Sequence, residues 1–331
     1  MKICLRRREF IAALGGATAW PLAARAQRPP ATVIGYLSTG LADLDSLSGR
    51  AFRKGLSEAG FIEGRNLAIE YRFAENNFGR LPDLAADLVQ HRVAVIVIPN
   101  GGTAPALAAK AATTTIPIVF GTGGDPVQMG LVASLNRPGG NVTGIAIMNV
   151  EIVPKRLGVL RELLPKATRI GVLVNPNNPN TEPIVKQAQA AAPALGQEIE
   201  VVTAGNAREI DTAFASLVQK RIEALMINPD PVFANRRVQI ATLATRQAMP
   251  AIFGERESVD AGGLMSYGAS QTDLARQVGL YVGRILKGDK PADLPVMQAV
   301  KFEFIINLQT ARAFGIEVPP TLLALADEVI E

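Results

Sequence analysis

The chain has 331 residues, 48% of them hydrophobic and 19% charged; this is a globular balance with material for a sizeable core, and too much length for one ordinary domain. Its formal charge of +4 resides in the first residues, because five of the 34 basic residues (Lys2, Arg6, Arg7, Arg8, Arg25) and one of the 30 acidic ones (Glu9) precede Gln27, leaving 29 of each beyond it. That remainder is neutral and gives no electrostatic reason to expect a nucleic-acid partner, and with Cys4 in the same leading segment it has no disulfide and no thiol chemistry.

In chain order, residues 1–26 read as an export signal: a basic start, an apolar stretch from Phe10 to about Ala24, and the A-x-A-type site Ala24-Arg25-Ala26, with cleavage expected near Ala26. The stretch is too short for the roughly 20 residues of a membrane span and is interrupted by Gly15, Gly16 and Pro21. Arg7-Arg8-Glu9-Phe10-Ile11 fits the twin-arginine pattern, so the expected location is the periplasm, by the twin-arginine or the general secretory route.

Short β-branched runs then alternate with segments of helical period. Val33 to Leu37 reads as a strand and Leu44 to Ala59 as an amphipathic helix stopped by Gly60; Leu67 to Phe73 is a strand and Leu81 to Gln90 a helix. The runs VAVIVIP, IPIVFG and VTGIAI are further strands, with helices expected at Ala104 to Ala112 and at Val127 to Leu135. After Val150 the rhythm restarts: helix Val153 to Leu164, strand Ile170 to Val174, helix Ile184 to Leu195, strand Ile199 to Thr203, helix Ile210 to Arg221, strand Ala224 to Ile227, helix Val232 to Met249 and strand AIFG. GGLMSYG leads into a helix ending GRILKGDKPADLP, and KFEFIINLQTARAFGI gives one more strand and helix. The β-α-β order argues an α/β fold of two lobes with parallel sheets and helices on both faces.

Six of these strands end in the same chemistry: Ser38-Thr39-Gly40, Asn100 to Thr103, Gly121 to Pro126, Asn175 to Pro179, Asn228 to Pro231, and Gly254-Glu255. Any β-to-α turn uses Ser, Asp, Asn, Pro and Gly for capping. In open α/β sheets, however, the ligand crevice lies outside the carboxyl ends of the strands, where helix N-termini offer unpaired N–H groups. Six such loops on two lobes point to a shared polar cleft. Catalytic signatures do not accompany it. The sole histidine, His91, falls at a helix-to-strand junction, and there is no G-x-S-x-G, H-E-x-x-H, Walker A or C-x-x-C pattern. No cofactor or metal is expected. Among aromatics near strand ends, Phe120 and Phe253 read as core, whereas Phe233 and Tyr267 are candidates for covering a ligand.

The segments AFRKGLSEAGFIEGRN, IPIVFGTGGDPVQMGLVASLNRPGGNVTG, GVLVNPNNPN, GGLMSYG and GRILKGDKPADLPV resemble, together and in order, the ABC-transporter substrate-binding proteins of the tryptophan/tyrosine type, over about Thr32 to Glu331. The resemblance implies the type I periplasmic-binding-protein fold: two Rossmann-like lobes joined by three crossings and closing on a ligand at the hinge. The lobes are expected at 32–147 plus 267–292 and at 148–266 plus 293–331. It implies Ser38, Thr39, Asn100, Gly101, Gly102, Thr103, Gly121, Thr122, Asp125, Asn175, Asn177, Asp230 and Tyr267 as ligand-facing positions, to which the residue reading adds Phe233.

The expected function is therefore that of a non-enzymatic, monomeric solute receptor handing a small polar ligand to an ABC permease in the inner membrane. Thr103 with the amides of Gly101 and Gly102 would take a carboxylate, Asp125 or Asp230 an amine or hydroxyl, and Tyr267 with Phe233 an aromatic face. An amino acid, above all an aromatic one, is the first expectation, ahead of a nucleoside, purine or aromatic acid. The rival functions are a sensory input to a membrane receptor and an exported α/β enzyme.

Overall fold

Strand-forming runs and helix-period segments alternate along the chain, and a computed structural model describes how they assemble over residues 31–99, 102–299 and 301–331. The expected export signal and the candidates Asn100 and Gly101 lie outside the described residues. The first lobe is laid down as β1 (Thr32–Ser38), α1 (Leu47–Glu58), β2 (Leu67–Phe73), α2 (Leu81–Gln90), β3 (Ile96–Ile98), α3 (Thr103–Ala112), β4 (Ile118–Thr122) and β5 (Val142–Ala146). The second follows as α4 (Asn149–Leu163), β6 (Arg169–Val174), α5 (Thr181–Ala191), β7 (Glu198–Thr203), α6 (Ala207–Gln219), β8 (Ala224–Ile227), α7 (Pro231–Asn235), α8 (Arg237–Arg246), β9 (Ala251–Phe253), α9 (Arg256–Asp260) and β10 (Met265–Ala269). The chain then returns to the first lobe with α10 (Gln271–Leu286) and β11 (Met297–Gln298), and ends in the second with β12 (Phe302–Asn307), α11 (Leu308–Ala313), α12 (Pro320–Leu325) and β13 (Glu328–Ile330).

Two sheets result, ordered β11-β5-β4-β3-β1-β2 and β13-β12-β10-β9-β8-β6-β7. Pairing is parallel throughout except for β12, which runs antiparallel to β10. The central strands are apolar on both sides, as a sheet covered by helices on both faces requires: every residue of β3, β4 and β8 is buried. Two apolar clusters flank the first sheet, one around Val97, Val119 and Val278 and one around Ile96, Phe120 and Ala106; two more flank the second.

The chain passes between the two sheets three times: after β5, after β10 and after β11. The sheet memberships shift the lobe limits from those expected. All of β10, including Tyr267 to Ala269, pairs in the second sheet, and β11 pairs with β5 in the first. A periodicity reading locates a strand but not the sheet that will accept it. The returning α10 is seated on α1 through glycine: a Cβ on Gly55 would stand 2.1 Å from the carbonyl oxygen of Arg276, and one on Gly279 2.4 Å from that of Phe52.

Two elements depart from expectation. Residues 127–135 form no helix. The Asp125 carboxylate accepts from the amides of Val127 and Gln128, closing a single turn that ends at Gly130 with φ +69, and Leu131 and Val132 enter the core from loop backbone. The apolar spacing there is loop packing. The helix expected at Val232 to Met249 is two helices, broken at Arg236 with φ −111 and ψ 17.

Candidate functional site

In the first sheet β1 lies between β2 and β3, and in the second β6 lies between β7 and β8. These are the places where successive connections depart in opposite directions, so that the loops leaving the two central strands splay apart and open a crevice. Both crevices contribute to one cleft of about 580 Å³. One wall is Ser38 and Thr39 from the end of β1 with Gly102 and Thr103 from the start of α3; the other is Asn178 to Asn180 after β6, Pro229 to Pro231 after β8, and Glu255 after β9.

The placement sorts the sequence candidates. Ser38, Thr39, Gly102, Thr103 and Asp230 line the cleft. The loop after β4 does not, because β4 stands one strand beyond the switch point. Gly121 and Thr122 are buried behind Thr103, whose hydroxyl oxygen meets that of Thr122 at 2.5 Å, and Asp125 is spent on its turn. Asn175 is fully buried beneath the cleft and Asn177 is exposed outside it. Phe233, 3% exposed, belongs to the core cluster of the second lobe. Tyr267 packs on Phe302 and Phe304 with centroids 6.2 Å from its own, and Lys155 lies over its ring. Neither ring lines the cleft, a correction to their expected place: Phe233 is drawn into the core its short helix faces, and Tyr267 is half-buried against apolar clusters of both lobes. The aromatic wall is Tyr36, Phe73 and Phe78 of the first lobe. Alternation in β1 and β2 signals their shared face, since Tyr36, Tyr71 and Phe73 form one ring cluster.

The Asn-Pro loop after β6 has a definite role. Asp230 is 2% exposed. Its carboxylate accepts from Asn175 Nδ2 at 3.0 Å, Asn178 Nδ2 at 2.8 Å and the Val232 amide at 2.8 Å. Burial raises its pKa, and these donors pull it back. The amides thus hold an anion under the floor while Asn180 reaches across, its Nδ2 donating to Thr103 Oγ1 at 3.0 Å. A second inter-lobe bond joins Asn235 Nδ2 to Asn76 Oδ1 at 2.9 Å, so the two rims are drawn together.

Thr39 Oγ1 is buried without a hydrogen-bond partner among the described residues, and α3 begins at Gly102 with no side-chain cap. The first N–H groups of a helix want an acceptor, and the dipole favours an anionic one. Opposite them, burial pushes the Glu255 carboxyl up to about 8, helped by Glu257 and Asp230 and opposed by Arg156 and Arg237. Arg156 is 0% exposed. Its Nε donates to the Tyr267 carbonyl at 2.7 Å; its two Nη atoms have no partner among the described residues, and burial brings it down to about 10 against the pull of Glu255. The guanidinium lies where side chains are missing, since a Cβ on Gly254 would stand 2.9 Å from Nη2 and one on Gly268 3.4 Å. His91, at the end of α2, is exposed and turned to its own helix, Nδ1 lying 2.8 Å from the Asp87 carbonyl oxygen.

This geometry has relatives. Residues 43–330 match the model of the family described as ABC transporter substrate binding protein. The chain is 30% identical over 268 residues to the tyrosine-binding protein of Clostridioides difficile (strain R20291), covering 81% of this chain and 76% of that one. It is similar to an ABC domain from Streptococcus pneumonia solved in complex with L-Trp, with a TM-score of 0.82 and 25% identity over 91% of this chain and 100% of the other. Against the ligand-free, open structure of a substrate-binding protein from Clostridium difficile the identity is 28%, over 90% of this chain and 99% of that one, but the TM-score is 0.64. Sequence is nearer to the second of these structures and shape to the first.

Proposed function

The chain belongs to the ABC transporter substrate-binding protein family, and from that premise we propose that its own ligand is an aromatic amino acid, bound in the cleft and delivered to an inner-membrane permease from the periplasm. One observation carries the reading: the cleft is divided between an aromatic wall of Tyr36, Phe73 and Phe78 and a polar wall of carboxylates and amides. A ring fits the first and an α-ammonium the second. The uncapped start of α3 and the Thr39 hydroxyl suit the carboxylate of the same ligand. The printed ligands of the two relatives, tyrosine and L-Trp, support this class.

The test is a thermal-shift screen of the purified protein with L-tyrosine, L-tryptophan and L-phenylalanine beside aliphatic amino acids, nucleosides and sugars. A ligand present at 100 times its Kd stabilises the folded state by about 2.7 kcal/mol. The aromatic amino acids are expected to raise the midpoint. A shift confined to nucleosides or sugars would put the ligand in another class.

A further inference from the structure

We propose that Glu255 is the receptor for the ligand's cationic group, and that it gives up a bound proton when that cation arrives. The inference rests on the reading of the ligand as an amino acid and goes beyond it, because Asp230, Glu255, Glu257 and Asp260 all line the second-lobe wall of the cleft, Asp260 paired with Arg256 at 3.4 Å, and it selects one of them.

They are not equivalent. Asp230 is engaged before any ligand enters: three donors hold it, and both amide side chains that do so belong to the loop after β6. A carboxylate has about four acceptor positions, so at most one is left. The Glu255 carboxyl lines the same cleft and has no side-chain hydrogen bond or ion pair among the described residues. A partly buried carboxyl in that condition must either find a cation or carry a proton.

Charge counting around it gives the same answer. The groups facing Glu255 are Glu257 on its own helix α9, Asp230 ahead of α7, Arg156 on α4 and Arg237 on α8. Three carboxyl groups, Glu255 included, therefore crowd two guanidinium groups, and the acidic neighbours disfavour a further negative charge on Glu255. Arg156 cannot swing in to cancel it, being pinned through Nε to the Tyr267 carbonyl and confined against Gly254 and Gly268. An external cation beside Glu255 offsets that repulsion. In its absence a proton on Glu255 does so, consistent with a carboxyl pushed up to about 8.

The chemistry balances simply: the Glu255 O–H proton passes to solvent, and an ammonium N–H of the ligand takes its place beside the carboxylate. Around pH 7 wild-type binding of L-tryptophan and L-tyrosine is expected to release protons, up to one per ligand. The measurement is isothermal titration in buffers of different ionisation enthalpy. Affinity is expected to strengthen as pH rises towards 8. In Glu255→Gln the proton release should vanish, and affinity for both amino acids should fall about ten- to a hundredfold, the loss expected for one charge-assisted hydrogen bond. The des-amino analogue indole-3-propionate, lacking the ammonium, should bind wild type and variant alike. Circular dichroism and unfolding curves establish that the variant folds. Wild-type affinity in Glu255→Gln, or binding by the wild type without proton release at pH 7, would overturn the proposal. If wild type binds neither amino acid, the ligand class proposed above is wrong. Glu255 is then judged on the ligand that a metabolite screen returns: a cationic one sensitive to Glu255→Gln supports it, an anionic or uncharged one sinks it.

Discussion

Asp230 and Glu255 sit on the loops after the neighbouring strands β8 and β9, yet each has a different task because each has a different set of neighbours. Removing Asp230 as Asp230→Ala would strand the Asn175 and Asn178 amides and the Val232 N–H in a buried place. Leaving such groups unpaired costs about 1–3 kcal/mol, so urea unfolding should detect the loss in the unliganded protein. An unchanged midpoint would mean that the amide loop is not organised by this carboxylate. Glu255 predicts a pH effect of definite sign. Its folded pKa, about 8, lies above its ordinary value of 4.5, so between those values the folded state binds more protons than the unfolded one. Stability must then fall as pH rises through that window and level off above it. The unliganded wild type should show this slope, and Glu255→Gln should lose the part due to this group. At this scale the sequence was partly legible. Ser38, Thr39, Gly102, Thr103 and Asp230 were recognisable as strand-end polar groups, and they do line the cleft. The loop holding Asn178 and Asn180 was read as a cleft wall, though neither was singled out, and Phe73 and Phe78 went unrecognised, since nothing local distinguishes a cleft ring from a core ring or one loop amide from the next.

Among the elements, strands were the most readable. Leu67–Phe73 and Ala224–Ile227 have the limits that alternation and β-branching dictate. Helices with capping signals were nearly as clear: Ser46 accepts from the Gly49 amide ahead of α1, and Asn206 from the Glu209 amide ahead of α6. The misread segment at 127–135 had helical spacing without a cap that could lead past Gly130, and its apolar residues are buried from a loop instead. The packing of α10 on α1 rests on a close approach that periodicity does not report. Gly279→Ala would drive a methyl group against the Phe52 carbonyl. Forcing the helices apart should cost about 1–3 kcal/mol. The check is a lowered denaturant midpoint with an unchanged m-value; a neutral substitution would show that the two helices can slide without loss.

For the whole molecule the question is how the lobes meet. The inter-lobe bonds Asn180–Thr103, which is buried, and Asn235–Asn76 join the two walls, and the overall shape is nearer to the L-Trp complex than to the open, ligand-free relative. Each such bond contributes about 0.5–1.5 kcal/mol net. The pair Asn180→Ala and Asn235→Ala should therefore shift the population towards open forms. Small-angle scattering would read this as a larger radius of gyration of the unliganded protein, and ligand affinity should drop several-fold to tenfold or more. Unchanged scattering and affinity would show that these amides follow closure and do not stabilise it. The sequence by itself determined the α/β class, the two-lobed repetition and the polar character of the strand ends, because β-period, helix-period and turn chemistry are local and survive reading one residue at a time. Only the tertiary structure decided which strand ends face each other. Strand order places β1 and β3 opposite β6 and β8, leaves β4 to one side, sends Phe233 into the core, holds Tyr267 away from the cleft, and leaves the Glu255 carboxyl without a hydrogen-bond partner among the described residues. Those outcomes depend on which strands become neighbours, a property of pairings between residues far apart in the chain.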